Sequence, residues 1–388
     1  IYYVNVKLFK IIMLKYIRFS AAPILTAFGA YFSLKGQHWM WIYFAIFALI
    51  VILGDLVFGD NNVNPNYSST KILNFLLYIN FPFLLIAVLA SIWMVGDYQL
   101  PDWGSSFMIA RENTNIYDLV GYVIVMGLLV ASAGTNVGHE LTHRKKNKFD
   151  MFLGNWFLAF TWDCAFAIEH VYGHHKYVAT ERDPATARRG QNPYSFIFRS
   201  TTLSHRNAWI IENNRLKKQG YNPFSFQNKM LIGYGRSGLL TAGAFYLSGW
   251  AGLIMFLLIA TGGKIMLEGV NYMEHYGLIR EEGAPIQPKH SWNTNKRISS
   301  ILLYNLTRHS SHHEDASLEY WELKAYSRAP EMPLGYLSCV YLVLFVPWIY
   351  HRIMAPKLKD WDKNLANNTE RLLAQKQNEA SGLAFLIS

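Results

Sequence analysis

Nine of the thirteen histidines fall in four short clusters. They are His139-Glu140-Leu141-Thr142-His143, Glu169-His170-Val171-Tyr172-Gly173-His174-His175, Asn271-Tyr272-Met273-Glu274-His275-Tyr276-Gly277 and Arg308-His309-Ser310-Ser311-His312-His313. Each residue of an α-helix turns by about 100°. His139 and His143 therefore share a face, as do His170 and His174, and His309, His312 and His313 fall within an arc of about 100°. His175 lies about 140° from His170 on a regular helix, so this pair suits two neighbouring ions better than one. Imidazole binds iron, zinc, copper and nickel, and burying so many rings without metal would leave polar nitrogens unpaired. The pattern predicts a dinuclear metal site. A lone HExxH also marks zinc peptidases, but that reading leaves seven clustered histidines unused. A non-catalytic metal transporter needs exchangeable sites along a path, usually with carboxylates inside its spans, whereas these clusters converge on one side.

The elements that must position the clusters are apolar. Of 388 residues, 52% are hydrophobic, 15% aromatic and 16% charged, against about 25% charged in a soluble domain. Mean hydropathy is slightly positive, which a disordered or fibrous chain would not show. The two cysteines, Cys164 and Cys339, exclude a disulfide framework or a four-cysteine iron–sulfur site within this chain. Charge-free blocks run over 19–34, 36–54, 72–96 and 119–138, each near the roughly 20 residues that cross a bilayer as helix. The first has the flanks of an anchor rather than of a cleaved leader. A longer block, 237–263, carries Ser248-Gly249-Trp250-Ala251-Gly252 near its middle. Histidine clusters lie on both sides of it and must meet, so it is expected to cross twice, as a hairpin.

These readings predict an all-α integral membrane protein with six spans, over about 17–35, 38–58, 71–96, 118–143, 231–248 and 250–272. Segments 151–168 and 332–352 are expected to be interfacial, residues 1–365 to form one membrane-embedded domain, and 366–388 to be a polar tail. Lys7, Lys10, Lys15 and Arg18 precede the first block, and Arg144, Lys145, Lys146 and Lys148 follow the fourth. Lys and Arg mark the cytoplasmic side, which places the histidines there. The net charge of +10 is accounted for by topology and anionic lipid, and no nucleic acid is expected as a partner.

Together the HELTH, EHxxGHH, NYxEHYGL and RHSxHH segments closely resemble the integral-membrane alkane 1-monooxygenase family, which is related to the membrane fatty-acid desaturases. The resemblance extends through His174-His175-Lys176, Val178-Ala179-Thr180, Asp183-Pro184-Ala185, Arg188, Ser291-Trp292-Asn293 and Pro333-Leu334-Gly335-Tyr336, and covers roughly residues 15–365. NYxEHYGL is its most specific part. The resemblance implies six spans in a bacterial inner membrane and a cytoplasm-facing non-haem di-iron site, with no flavin or haem. The implied ligands of the two irons are His139, His143, His170, His174, His175, His275, His309, His312 and His313. Glu140, Glu169, Asp183 and Glu274 would accept hydrogen bonds from imidazole N–H groups.

The implied reaction is terminal hydroxylation of medium- to long-chain n-alkanes to 1-alkanols with O2, on electrons from rubredoxin and its reductase. An unactivated C–H bond offers no acidic proton and no carbonyl to polarise, so an oxidising metal centre must do this chemistry. Terminal selectivity calls for a narrow apolar tunnel, for which Trp41, Phe44, Phe47, Leu49, Ile52, Phe75, Leu76 and Phe83 are candidates. The chain has no redox fingerprint of its own, and rubredoxin is acidic. Arg144, Lys145, Lys146, Arg188, Arg189, Lys217 and Lys218 are candidates for docking it. The nearest alternative is a membrane fatty-acyl desaturase or hydroxylase, which would need a polar anchor at the tunnel mouth.

Overall fold

The computed structural model describes residues 14–387; Lys7 and Lys10, part of the basic flank, lie outside that range. The helices that matter for the site are α1 (Leu14–Lys35), α2 (Trp39–Phe58), α3 (Lys71–Trp93), α4 (Ile116–His143), α5 (Lys148–Ala159), α6 (Phe166–Glu169), α7 (Pro193–Lys218), α8 (Lys229–His275), α9 (His309–Glu314), α10 (Tyr336–Phe345), α11 (Pro347–Asn364) and α12 (Asn368–Ser381). No strand forms among the described residues, only two isolated bridges. Asparagine caps five of these twelve helices. Asn115 with Asp118 makes a capping box on α4, and Asn147, Asn192, Asn228 and Asn367 accept first-turn N–H groups of α5, α7, α8 and α12, which otherwise have no partner.

Among the described residues, five helices, α1 to α4 and α8, are long and apolar enough to cross a membrane. Their outer faces carry Leu49, Val57, Tyr246 and Trp250, each more than half exposed, an exterior suited to hydrocarbon rather than water. Helix α8 is broken at Ser248 (φ −143°, ψ 23°) and Gly249 (φ 58°, ψ −148°), a left-handed turn that glycine adopts without a Cβ penalty. There the chain doubles back. A side chain on Gly252 would strike the carbonyl of Ala244. Cys164 packs on Gly233 while its neighbour Asp163 pairs with Lys264 at 2.5 Å, so residues on opposite sides of the break stand at one level.

At 12 residues, α5 is about 18 Å long, short of the roughly 30 Å hydrocarbon core. Helix α10 has 10 residues and stops before Pro347, which opens α11. Neither 151–168 nor 332–352 forms one long helix. The stretch expected as a polar tail, which the structure describes through residue 387, packs on the body, with Glu370, Ala374 and Leu386 buried. Arg189 is the anchor, donating to Asp362 on α11 and to Asn378 on α12. Two more buried polar groups tie loops to the histidine end. Asp55 accepts from the backbones of Ile298 and Ser299. Arg308 donates to the carbonyls of Asn61, Val63 and Leu323.

Candidate metal centre

The structure gathers all nine clustered histidines at one end of the bundle. Ligand atoms of His139, His143, His170, His175 and His312 lie within 4.8 Å of one another, and so do those of His174, His275, His309 and His313. There are two groups, but the straight-helix reasoning misassigned their members. Residues His170–His174 wind as a π-helix, whose i→i+5 repeat returns residue 175 to the side of residue 170. His170 and His175 therefore belong to one group, with Nε2 atoms 3.2 Å apart, and His174 crosses to the other. A second π-helical segment, Val130–Thr135, sets the phase of α4 just before His139. On α9, His309 and His313 go to the second group and His312 to the first.

The geometry fits metal. In the first group, Nε2 of His139 lies 2.9 Å from His170 and 3.1 Å from His312, and Nε2 of His175 lies 3.2 Å and 3.0 Å from the same two. Four nitrogens with edges near 3 Å have their centre about 2 Å from each, the length of a metal–imidazole bond. The second group runs His174–His313–His309–His275 with steps of 3.2, 3.0 and 3.1 Å. Ring nitrogens facing each other this closely cannot all donate and accept at once, whereas one cation per group satisfies them all.

The four acids differ in what they touch. Asp183 accepts from His174 Nδ1 at 2.9 Å and from the Thr186 hydroxyl at 2.6 Å. Burial opposes its ionisation, but His174 and Thr186 outweigh that and hold the carboxyl below its ordinary range. Glu169 is buried with Oε1 unpartnered; burial and the charge of Asp183 push it up to about 8. Glu140 holds no imidazole; it accepts from Arg144 at 2.7 Å and from the Tyr320 backbone at 3.2 Å. Glu274 faces the Nε2 of His309 at 3.3 Å, the nitrogen aimed at the centre of its group, rather than an outer N–H. His275 Nδ1 donates instead to the carbonyl of His290, at 3.3 Å. His290 and His351 lie outside both groups.

A narrow apolar cavity runs to the histidines from inside the bundle. Leu128, Ala131, Phe166, Val270, Leu337 and Val340 form its walls, and His139, His170, His309 and Glu274 close its end. None of the eight residues expected to form a tunnel lines it. Leu49, Ile52 and Phe75 point outward, Phe47 and Leu76 pack in the core, and Phe83 is half-buried. Trp41 bonds the Tyr117 carbonyl, and Phe44 packs on Tyr341. The missed walls carry a modest signal, the small residues Ala131, Ser132 and Thr135 immediately upstream of the first histidine.

Of the basic candidates, Lys145, Lys146, Arg188, Lys217 and Lys218 are exposed. Arg144 and Arg189 are not available to a partner. Arg144 pairs with Glu140 and Asp150, and Arg189 is buried in a two-pronged bond to Asp362. Charge alone did not distinguish a free cation from one committed to internal pairing. His143 and His175 are the two cluster histidines that reach the surface in part.

A bundle of membrane-type helices enclosing nine converging imidazoles defines a class of histidine-rich membrane enzymes, and the family model for fatty acid desaturases matches residues 117–343. Alkane 1-monooxygenase 1 of Pseudomonas aeruginosa is 32% identical, the match covering 84% of this chain and 88% of that protein. Alkane 1-monooxygenase 2 of Alcanivorax borkumensis is 30% identical, with 89% and 90% covered. The xylene/toluene monooxygenase hydroxylase component XylM of Pseudomonas putida is 30% identical, with 94% and 95% covered. The chain belongs to the alkane 1-monooxygenase family, within the wider desaturase family, and is an oxidoreductase of the monooxygenase type.

Proposed function

We propose that the protein hydroxylates the terminal carbon of medium- to long-chain n-alkanes at a di-iron centre held by the nine histidines. One alkane, one O2, two electrons and two protons give one 1-alkanol and one water. The observation that carries this reading is the apolar cavity ending on members of both histidine groups. When bound, the irons supply the oxidising power for a C–H bond that no side chain can activate. The chain's residues hold and orient. Phe166 stacks on His170 with ring centroids 4.4 Å apart and shields that imidazole from water. The narrow walls admit a chain end first and restrict which carbon reaches the centre. Asp183 fixes the ring of His174 through its Nδ1.

The doubling-back of α8 supports six crossings, and the basic residues at the histidine end support a cytoplasmic site in a bacterial inner membrane. Electrons enter most directly at the partly exposed edge of His143 and His175, which the exposed Lys145, Lys146 and Lys176 adjoin in the chain. That charge suits an acidic rubredoxin. A fatty-acyl substrate is disfavoured, because no cation lines the cavity to hold its polar end. The extent of the XylM match favours arenes such as toluene and xylene as a second substrate class. The test is a product assay in lipid nanodiscs with rubredoxin and its reductase. Octane or dodecane giving the 1-alkanol supports the reading; benzyl alcohol from toluene alone moves it to arenes, and an unsaturated fatty acyl product overturns it.

A further inference from the structure

A second, wider recess stands apart from the substrate cavity. It lies between α5, α7 and the first turns of α8 and has a volume of about 670 Å³. Its floor is apolar, formed by Met151, Cys164, Ala167, Ile168 and Ile211. Its rim is basic: Lys145, Lys148, Lys229, Arg215 and Arg236. The one acid in the lining, Glu212, is already taken by Arg215 at 2.6 Å and by the backbone N–H of Lys229 at 2.7 Å. Among the described residues no carboxylate pairs with Lys145, Lys148, Lys229 or Arg236.

We propose that this recess is a binding site for one anionic membrane phospholipid, its phosphate held by Lys148, Lys229 and Arg236 and an acyl chain laid on the apolar floor. The level is right. Helix α4 ends at His143 and α8 begins at Lys229, so the rim stands where spans meet the headgroup layer. Arg236 lies seven residues into α8, about 10 Å beyond Lys229, and the chain carries no charge over the next 27 residues, through the break at Ser248–Gly249. An unpaired cation there is costly in hydrocarbon, and a lipid phosphate drawn into the recess supplies the missing counter-charge. Basic pockets between spans are a recurrent way to hold such headgroups. Phe152 and Ile232 are exposed at the mouth, so the recess opens toward acyl chains. A protein partner would want a polar mouth instead.

Occupancy also bears on the metal centre. Ala167, Ile168, Val171 and Tyr172 of the lining belong to the segment that carries His170, His174 and His175. A lipid packed against them holds that π-helical turn in place.

The experiment is native mass spectrometry of the full chain released from nanodiscs of equimolar phosphatidylglycerol and phosphatidylcholine. The expected result is one phosphatidylglycerol retained per chain, at least tenfold over phosphatidylcholine, with no displacement by millimolar glycerol 3-phosphate. A Lys229→Gln, Arg236→Gln double variant should lose that preference at least tenfold. A charge-keeping Lys229→Arg, Arg236→Lys variant should retain it, which separates loss of charge from loss of fold. Equal retention of the two lipids, unchanged retention in the Gln variant, or loss in the charge-keeping one would overturn the proposal. So would displacement by glycerol 3-phosphate, which would make the recess a simple anion site, or by an acidic electron-carrier protein, which would make it a docking site.

Discussion

His170 and His175 stand five residues apart, yet their Nε2 atoms lie 3.2 Å from each other. An α-helix would turn them about 140° apart; the π-helical turn at His170–His174 aligns them and sends His174 to the other group. The partition has a consequence for metal content. His174→Ala leaves three imidazoles in its group, and His175→Ala leaves four in the other. The His174 variant should retain about one ion per chain in place of two, while the His175 variant stays near two. Metal analysis of both proteins checks this, and the same loss from each would contradict the partition.

Asp183 is the one acid of the four that bonds the outer nitrogen of a clustered imidazole. Removing such a support typically costs about 10–100-fold in metal affinity. Asp183→Asn should weaken retention of one ion by that factor in a chelator titration while the second ion stays bound.

Lys264 sits between two buried carboxylates, 2.5 Å from Asp163 and 2.6 Å from Glu268. Deleting one member of a buried ionic set leaves uncompensated charge and typically costs about 3–5 kcal/mol. Lys264→Met should destabilise the protein by about that much in thermal unfolding, and adding Asp163→Asn should restore part of the loss.

The cavity walls set which chains fit. Ala131 and Leu337 line it, so Ala131→Phe should fill it and shift activity toward shorter alkanes. A fall of about tenfold or more on dodecane relative to octane is expected in a competition assay. Phe75→Ala, on the outward face of α3, should leave that ratio unchanged.

The C-terminal helix contributes stability that depends on pH. Glu370 accepts from Lys289 at 2.5 Å and from His290 at 3.0 Å. Burial opposes its ionisation, but those bonds outweigh it and bring the carboxyl down to about 2, from an ordinary 4.5. A depressed carboxylate stabilises the fold fully above its unfolded value and loses that contribution as pH falls toward the folded one. The Tm gap between wild type and Glu370→Gln should therefore be constant from about pH 5 to 7 and close as pH falls through about 4.5 toward 2.

The apolar blocks and the histidine clusters were legible because both are local: a charge-free run and an HxxxH spacing survive any packing. So was the break at Ser248-Gly249, where glycine is needed for a positive φ. The sharing of ligands between the two groups was not, because a π-helical turn differs from an α-helical one by a single residue per turn and leaves no compositional mark. Nor were the cavity walls, since Phe75 and Leu337 are both apolar and only packing decides which faces lipid. Arg144 and Arg189 show the same limit for charge, because their acid partners, Asp150 and Asp362, gave no mark of the pairing in the sequence. The packed tail followed from that, being fastened to the body through Arg189.

Each of the two histidine groups is proposed to hold one iron ion. Metal analysis of the purified, chelator-free protein tests it most directly. Two irons per chain is the predicted result; zinc, or a single ion of any kind, would contradict it.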